Sequence, residues 1–170
     1  MEAAHATPPW KIWFTEHGPG LLLCARQWTR SMADAEDVVQ EAFVRYWRHQ
    51  RGLPGDPRAL LLTSIRRAAL DHARQENRRN TREQKAVGPD EFEPYFELIP
   101  CEGDERRREI EAALQRLPEE QREVLVLKIW QELTFEQIGA VLEISPNTAA
   151  SRYRYALSAL RQQLEPLCHG

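Results

Sequence analysis

The sequence predicts an all-α protein built from two small helical domains that an acidic linker joins. Apolar residues recur at steps of three and four, and no long stretch alternates with a period of two. Arginine, glutamate and aliphatic residues are frequent, and these residues favour helices. Between the two helical patterns, residues 86–105 hold seven acidic residues, three prolines, two glycines and no lysine or arginine. We therefore expect domains at 8–85 and 106–166, with a linker at 86–105.

The first domain is expected to contain three or four helices. Aromatic residues at helical spacing begin the pattern, which resumes from Leu21 to Trp28 after the interruption Gly18-Pro19-Gly20. Asp34 is the predicted N-cap of a second helix over Ala35–His49. A third helix is predicted over Pro57–Arg79, apolar at first and basic at its end. Four tryptophans are predicted to belong to the core rather than to stacking platforms: Trp10, Trp13, Trp28 and Trp130.

The second domain carries the signals of a helix-turn-helix. A helix begins near Arg106, and Pro118 is expected in the first turn of the next helix. Thr134 and Gln137 have the spacing of a capping box before a short helix. Ser145 is the predicted cap of a last helix from Pro146 to about Leu164. Gly139 stands where the two final helices would touch, and Glu143 stands at the turn position that often holds glycine.

The outer face of the last helix favours DNA binding over the alternative, a plain helical hairpin in a bundle. Its side chains suit phosphates and base edges, and no acidic residue follows until Glu165. We add Thr134, at the start of the preceding helix. The candidate DNA-contacting residues are then Thr134, Asn147, Thr148, Ser151, Arg152, Arg154 and Tyr155.

Charge is segregated along the chain, although the formal net charge is only −3. Seven basic and three acidic residues lie between Arg66 and Lys85, which is typical of phosphate contact.

The three cysteines lack paired or metal-ligand spacing, and no cofactor motif or catalytic nucleophile is apparent. Asp37 and Glu41 could be read as a metal or acid–base pair, but a solvated helix face is the simpler reading. Without a secretion signal or a long apolar run, we expect a cytoplasmic protein that does not insert into membranes.

Together these patterns resemble the extracytoplasmic-function (ECF) sigma factors, the small initiation subunits of bacterial RNA polymerase. Three stretches carry the resemblance in the family's order: DAEDVVQEAFVRYW (34–47), PRALLLTSIRRAALDHARQENRR (57–79) and LPEEQREVLVLKIWQELTFEQIGAVLEISPNTAASRYRYALSALR (117–161). The resemblance implies a non-enzymatic protein without cofactor or metal that is monomeric when free. It implies three partners. The first is core RNA polymerase, which the protein would contact at the clamp helices of the largest subunit and at the flap. The others are promoter DNA and an anti-sigma protein.

The resemblance also implies a role for each stretch. The first stretch would dock on the clamp helices through Asp37, Gln40, Glu41, Phe43 and Trp47. The second would bind and melt the −10 element through Arg66, Arg67, His72, Gln75, Arg78 and Arg79, and the loop at 50–56 would receive a flipped base. The third would place its last helix in the major groove of the −35 element.

Two departures from the family pattern limit what can be carried over. Leu60 stands where tryptophan is frequent, and Ala150 stands where a basic residue often precedes the Ser151-Arg152 pair. The base preference of the recognition helix is therefore expected to depend on Arg154 and Tyr155.

Two other function classes remain as alternatives. One is a stand-alone helix-turn-helix regulator that binds operators without polymerase. The other, a hydrolytic enzyme, is disfavoured because no nucleophile or metal set is visible. The linker acids suggest a further hypothesis, that the linker competes with DNA for the basic surfaces.

Overall fold

The computed structural model describes residues 9–83 and 103–168, and in these ranges it consists of helices joined by turns and short loops. The first domain contains α1 (Pro9–Arg26), α2 (Met32–Arg45), a π-helical turn (Tyr46–Gln50) and α3 (Pro57–Arg82). The second contains α4 (Asp104–Arg116), α5 (Glu119–Trp130), α6 (Phe135–Leu142) and α7 (Pro146–Cys168). Most of the acidic linker lies outside the described residues, and so does any contact it makes.

Helix α1 runs without a break through Gly18-Pro19-Gly20, where the sequence predicted an interruption. Leu21 and Leu23 are buried beyond the tripeptide, and Gly18 packs closely against the ring of Phe14 before it. Burial on both sides therefore outweighs the poor helix propensity of these three residues.

The N-cap of helix α2 is Ser31, three residues before the predicted cap Asp34. The Ser31 hydroxyl accepts a hydrogen bond from the backbone N–H of Asp34 at 3.1 Å, so the prediction that Asp34 is the cap was wrong. Asp34 instead lies in the first turn, where its charge complements the helix dipole. The helix buries one apolar stripe against α1 and α3: Ala35, Val38, Val39, Ala42 and Phe43.

A π-helical turn follows α2, and the backbone N–H of Arg51 donates to the carbonyl of Tyr46 at 2.9 Å. This hydrogen bond joins residues five positions apart, so the turn holds one residue more than an α-helical turn. Asp56 then caps α3, accepting from the Arg58 N–H at 2.9 Å, with Pro57 in the first turn.

The two domains pack directly against each other. Helix α1 contacts α5, and α3 contacts α6. The buried residues of both domains form one continuous hydrophobic cluster, which includes Leu21, Leu61 and Ile65 in the first domain and Leu125 and Leu133 in the second. Within the described residues, no helix is both long enough and apolar enough to cross a membrane.

Candidate functional site

The exposed side of α2 presents polar side chains in one patch. Asp37, Gln40 and Glu41 are exposed, while the opposite side of the helix is buried. Glu41 lies 3.4 Å from Arg45 and 3.7 Å from His72 on α3. Both contacts are solvent-exposed and therefore weak, so the Glu41 carboxylate remains available to an incoming cation.

An aromatic cluster adjoins this polar patch. Phe43 is only 8% exposed and lies at the centre of the cluster, with its ring 5.8 Å from Trp13, 5.0 Å from Phe14 and 6.2 Å from Trp47. Trp47 is half-buried, and the Arg51 guanidinium lies 5.2 Å from its ring centroid. Phe43 therefore supports the aromatic cluster from within the domain, whereas part of Trp47 is exposed at the surface of the domain.

Between α1 and α2 these aromatics line an open apolar groove of about 620 Å³. Trp10 is 41% exposed on its rim, so the prediction that Trp10 belongs to the core was wrong. Sequence reasoning missed this groove, although three aromatic residues within five positions of the first helix were a usable signal. The apolar lining is completed by Leu22, Val39 and Val44, with Glu36, Gln40 and Arg48 around it.

The candidate DNA-contacting residues of α3 fall into two environments. Five of them are exposed from the middle of the helix to its end: Arg67, His72, Gln75, Arg78 and Arg79. Half-buried Arg66 and exposed Arg67 line a cleft of about 230 Å³ between α3 and the end of α6, together with Val141 and Glu143. Two candidates therefore lie beside the second domain, while the others face solvent.

The loop before α3 also contacts the second domain. The Gln137 side-chain amide donates to Asp56 Oδ2 at 3.4 Å. Burial acts to raise the pKa of Asp56, but hydrogen bonds from Arg58 and Gln137 and the Arg58 charge outweigh it. The pKa of Asp56 therefore lies below its ordinary value, and the carboxylate stays ionised at neutral pH.

The helix-turn-helix has the predicted capping. Thr134 and Gln137 form the reciprocal capping box, with bonds of 3.1 and 2.9 Å. The Ser145 hydroxyl accepts from the Thr148 N–H at 3.1 Å and starts α7 at Pro146. A Cβ on Gly139 would lie 2.6 Å from the Ile144 carbonyl oxygen, so this contact requires glycine. Glu143 takes the left-handed conformation with φ 59° and ψ 43°, as its turn position predicted.

The outer face of α7 is open to solvent at three candidate positions. Asn147 and Arg154 are exposed, and Tyr155 is 66% exposed. Thr148, Ser151 and Arg152 are half-buried, and Arg152 lies 3.6 Å from Glu120 at the start of α5. Thr134 is exposed, but its hydroxyl is engaged in the capping box.

Comparison with known proteins agrees with this architecture. Residues 13–79 match the family Sigma-70 region 2, and residues 107–160 match Sigma-70, region 4. The chain is 32% identical to the ECF RNA polymerase sigma factor SigK of Mycobacterium ulcerans (strain Agy99), over 80% of this chain and 75% of the relative. The chain belongs to the ECF sigma factors. This sigma factor therefore binds core RNA polymerase and directs promoter recognition, DNA melting and transcription initiation.

Solved structures support the same fold for this sigma factor. It is similar to the sigma factor RpoE from Bartonella quintana, solved with the anti-sigma factor NepR. The TM-score is 0.69, the sequences are 23% identical, and the match covers 91% of this chain and 96% of the other. It is also similar to SigJ of Mycobacterium tuberculosis, with a TM-score of 0.56, 27% identity and coverage of 89% and 53%. The match to region 2 disfavours a regulator that works through the helix-turn-helix alone, since such a protein has no need of a polymerase-binding domain.

Proposed function

We propose that the polar patch and apolar groove of the first domain together form the docking surface for core RNA polymerase. The observation that carries this proposal is the exposure of Asp37 and Glu41, one helical turn apart, beside the groove between α1 and α2. Carboxylates on one helical face fit arginines of a partner helix, and the groove can take that helix's apolar side chains. The clamp helices of the polymerase's largest subunit are the proposed partner, and Gln40 and Trp47 complete the contact.

The exposed cations of α3 are the proposed −10 surface. Arg78 and Arg79 lie at the far end of the helix, where backbone phosphates of an opened strand can reach them. Arg67, His72 and Gln75 continue the same surface towards the first domain's core. Half-buried Arg66 lies at the edge of this surface, in the cleft beside the end of α6. The loop at 50–56 is the proposed site for a flipped base.

The exposed face of α7 is the proposed −35 reader. Arg154 and Tyr155 protrude furthest into solvent, and Asn147 lies in the first turn, where a recognition helix contacts base edges. Half-buried Ala150 cannot supply the basic contact that many relatives have, so Arg154 and Tyr155 determine the preference of this chain.

The same proposal assigns a role to each domain and a cellular location to the protein. The domain 8–85 would bind polymerase and the −10 element, and the domain 106–166 would read the −35 element. The protein would act in the cytoplasm without catalysing a reaction itself. An anti-sigma protein would hold it inactive. Two similar proteins were solved with a bound partner, RpoE in complex with the anti-sigma factor NepR and CnrH in complex with the cytosolic domain of CnrY.

The docking surface is tested by reversing its charge. We expect Glu41→Lys to reduce the affinity for purified core polymerase by at least tenfold and to abolish specific initiation. The matched control is Glu16→Lys, an exposed charge reversal on α1 of the same domain. Wild-type affinity in Glu41→Lys would contradict the proposed docking surface. Operator binding that persists without polymerase in both variants would instead favour the stand-alone regulator.

A further inference from the structure

Arg152 lies on the side of α7 that packs on the rest of its domain, although its residue type made it a candidate DNA contact. It follows the buried Ala149 by three residues and precedes the buried Ala156 by four. Residues three and four apart share one face of a helix, so Arg152 belongs to the packed face. Arg154 precedes Ala156 by two residues and lies on the opposite side. The exposures agree, because only 24% of the Arg152 side chain is exposed, whereas Arg154 is open to solvent.

The guanidinium of Arg152 is directed towards the start of α5. Its Nη2 atom lies 3.6 Å from Glu120 Oε2. Glu123 follows one helical turn later and is buried, and burial raises its pKa. A hydrogen bond from the Trp28 indole N–H, at 2.8 Å, and the positive charges of Arg66 and Arg152 offset this rise only in part. Arg152 therefore stabilises two carboxylates of α5.

These carboxylates make Arg152 a poor ligand for DNA. A phosphate contact would require the guanidinium to leave Glu120 and the neighbourhood of Glu123, and the exposed Glu120 carboxylate would itself repel the phosphate. The outward side of α7 carries Asn147, Arg154 and Tyr155 instead, and all three are exposed. The two sides of this helix therefore have different tasks.

We propose that Glu120 and Arg152 are positioning residues of the −35 reader, whose ion pair fixes the rotation of α7 about its axis. Arg152 itself makes no contact with DNA. Because all side chains of a helix turn with it, this rotation decides whether Asn147, Arg154 and Tyr155 face the DNA together. The proposal rests on the assignment of the −35 surface made above.

Five full-length variants test this role. Arg152→Met removes the guanidinium and keeps an unbranched apolar stem, and Arg154→Met makes the same change on the outward side. Glu120→Gln removes the partner charge of Arg152, and its matched control is Glu119→Gln at the neighbouring exposed position. Arg152→Lys keeps a positive charge beside α5 and tests rescue. Cooperative urea unfolding establishes that each variant is folded before it is compared.

The measurement is fluorescence anisotropy with a labelled duplex carrying the −35 element read from wild-type transcripts, repeated over a series of salt concentrations. Arg152→Met should weaken binding by about twofold to fivefold, the size expected of a solvated ion pair. The slope of log affinity against log salt should not change in this variant, because no phosphate contact is lost. Arg154→Met should reduce the steepness of that slope by about one.

The acidic pair gives the second comparison. Loss of an acidic charge by itself favours DNA binding, so Glu119→Gln should bind as tightly as the wild type or more tightly. Glu120→Gln should bind about twofold to fivefold more weakly than Glu119→Gln, since it releases Arg152. Arg152→Lys should bind within about twofold of the wild type.

Each result has one meaning. A slope less steep by about one in Arg152→Met would reveal a phosphate contact and overturn the proposal. Equal binding by Glu120→Gln and Glu119→Gln would overturn the role of Glu120, and binding by Arg152→Lys as weak as that of Arg152→Met would overturn the role of the charge. Wild-type binding by Arg154→Met at every salt concentration would count against the −35 surface instead. In that case urea unfolding still tests the ion pair, because strictly additive losses in the Glu120→Gln/Arg152→Met double variant would overturn it.

Discussion

Substitution of Gly139 by alanine should disrupt the helix-turn-helix through a single contact. The added Cβ would lie 2.6 Å from the Ile144 carbonyl oxygen and 3.4 Å from the Pro146 nitrogen, both of which are backbone atoms. Ordinary contacts of this kind are at least about 3.4 Å long, so α6 and the turn must separate by roughly 1 Å. Overpacking of this size costs about 1–3 kcal/mol, and the better helix propensity of alanine returns about 1 kcal/mol. Because backbone atoms cannot rotate away, the upper part of this range, about 2–3 kcal/mol, applies, and the net loss in the free energy of unfolding is then about 1–2 kcal/mol.

The assay is urea unfolding of the full chain, followed by circular dichroism, together with the thermal midpoint. For a chain of this length, that loss lowers the Tm by about 3–6 °C. Gly52→Ala is the control for stability, because a Cβ at Gly52 meets no atom within 4 Å. Equal free energies of unfolding for Gly139→Ala and the wild type would refute the claim that the close approach of α6 to the turn requires glycine.

Three further predictions follow from single residues. Glu143→Gly should stabilise the chain by up to about 1 kcal/mol in urea unfolding, because glycine adopts the left-handed conformation at φ 59° without steric cost, and a loss of stability would contradict this. Burial raises the pKa of the Cys24 thiol to about 12, and a hydrogen bond to Gln131 offsets this only in part. The thiol of the unfolded chain therefore loses its proton at a lower pH than the folded one. The free energy of unfolding should fall as pH rises from about 9 towards 12. In a Cys24→Ala variant, the free energy of unfolding should fall less steeply over this pH range. A fall as steep as that of the wild type would mean that other groups cause the pH dependence. Arg154→Ala should alter the −35 consensus read by sequencing transcripts from reconstituted transcription, whereas an unchanged consensus would remove Arg154 from base recognition.

Local signals in the sequence were sufficient for the helix-turn-helix. The capping box of Thr134 and Gln137, the Ser145 cap and the close approach at Gly139 all involve residues within a few positions of one another. Such short-range geometry depends on residue type and spacing, which the sequence displays directly. The start of each of the last two helices could be predicted for the same reason.

Long-range packing limited the prediction of the first domain. Helix α1 continues through Gly18-Pro19-Gly20 because residues on both sides are buried, and local propensity does not report burial. A Cβ on Gly20 would lie 2.6 Å from the Gln131 side-chain nitrogen, so this glycine also leaves room for the Gln131 side chain, which follows α5. The capping error had a different cause, since Ser31 and Asp34 are both good caps and only the packing of α2 decides between them.

The contact between the domains had no local signal at all. Trp28 looked like a core residue, and Glu123 looked like an ordinary charged position on a helix. Their hydrogen bond spans the whole linker, so it follows from how the two domains dock and not from any spacing within either. The exposure of Trp10 was missed for a related reason. The aromatic spacing at the start of α1 could indicate an apolar surface, but the groove and its rim exist only once α1 and α2 are side by side.

The π-helical turn at Tyr46–Gln50 affects how the loop before α3 is aimed. Each residue of an α-helix advances the chain by about 100°, so the extra residue in this turn changes the direction in which the chain leaves α2 by a similar angle. Removing one residue from the turn would restore regular α-helical hydrogen bonding and swing the loop at 50–56 to another side of the domain. The helices themselves could stay in place. The length of this five-residue turn therefore sets the direction of the loop at 50–56, the proposed site for a flipped base, and a single insertion or deletion would redirect that loop while the fold stays the same.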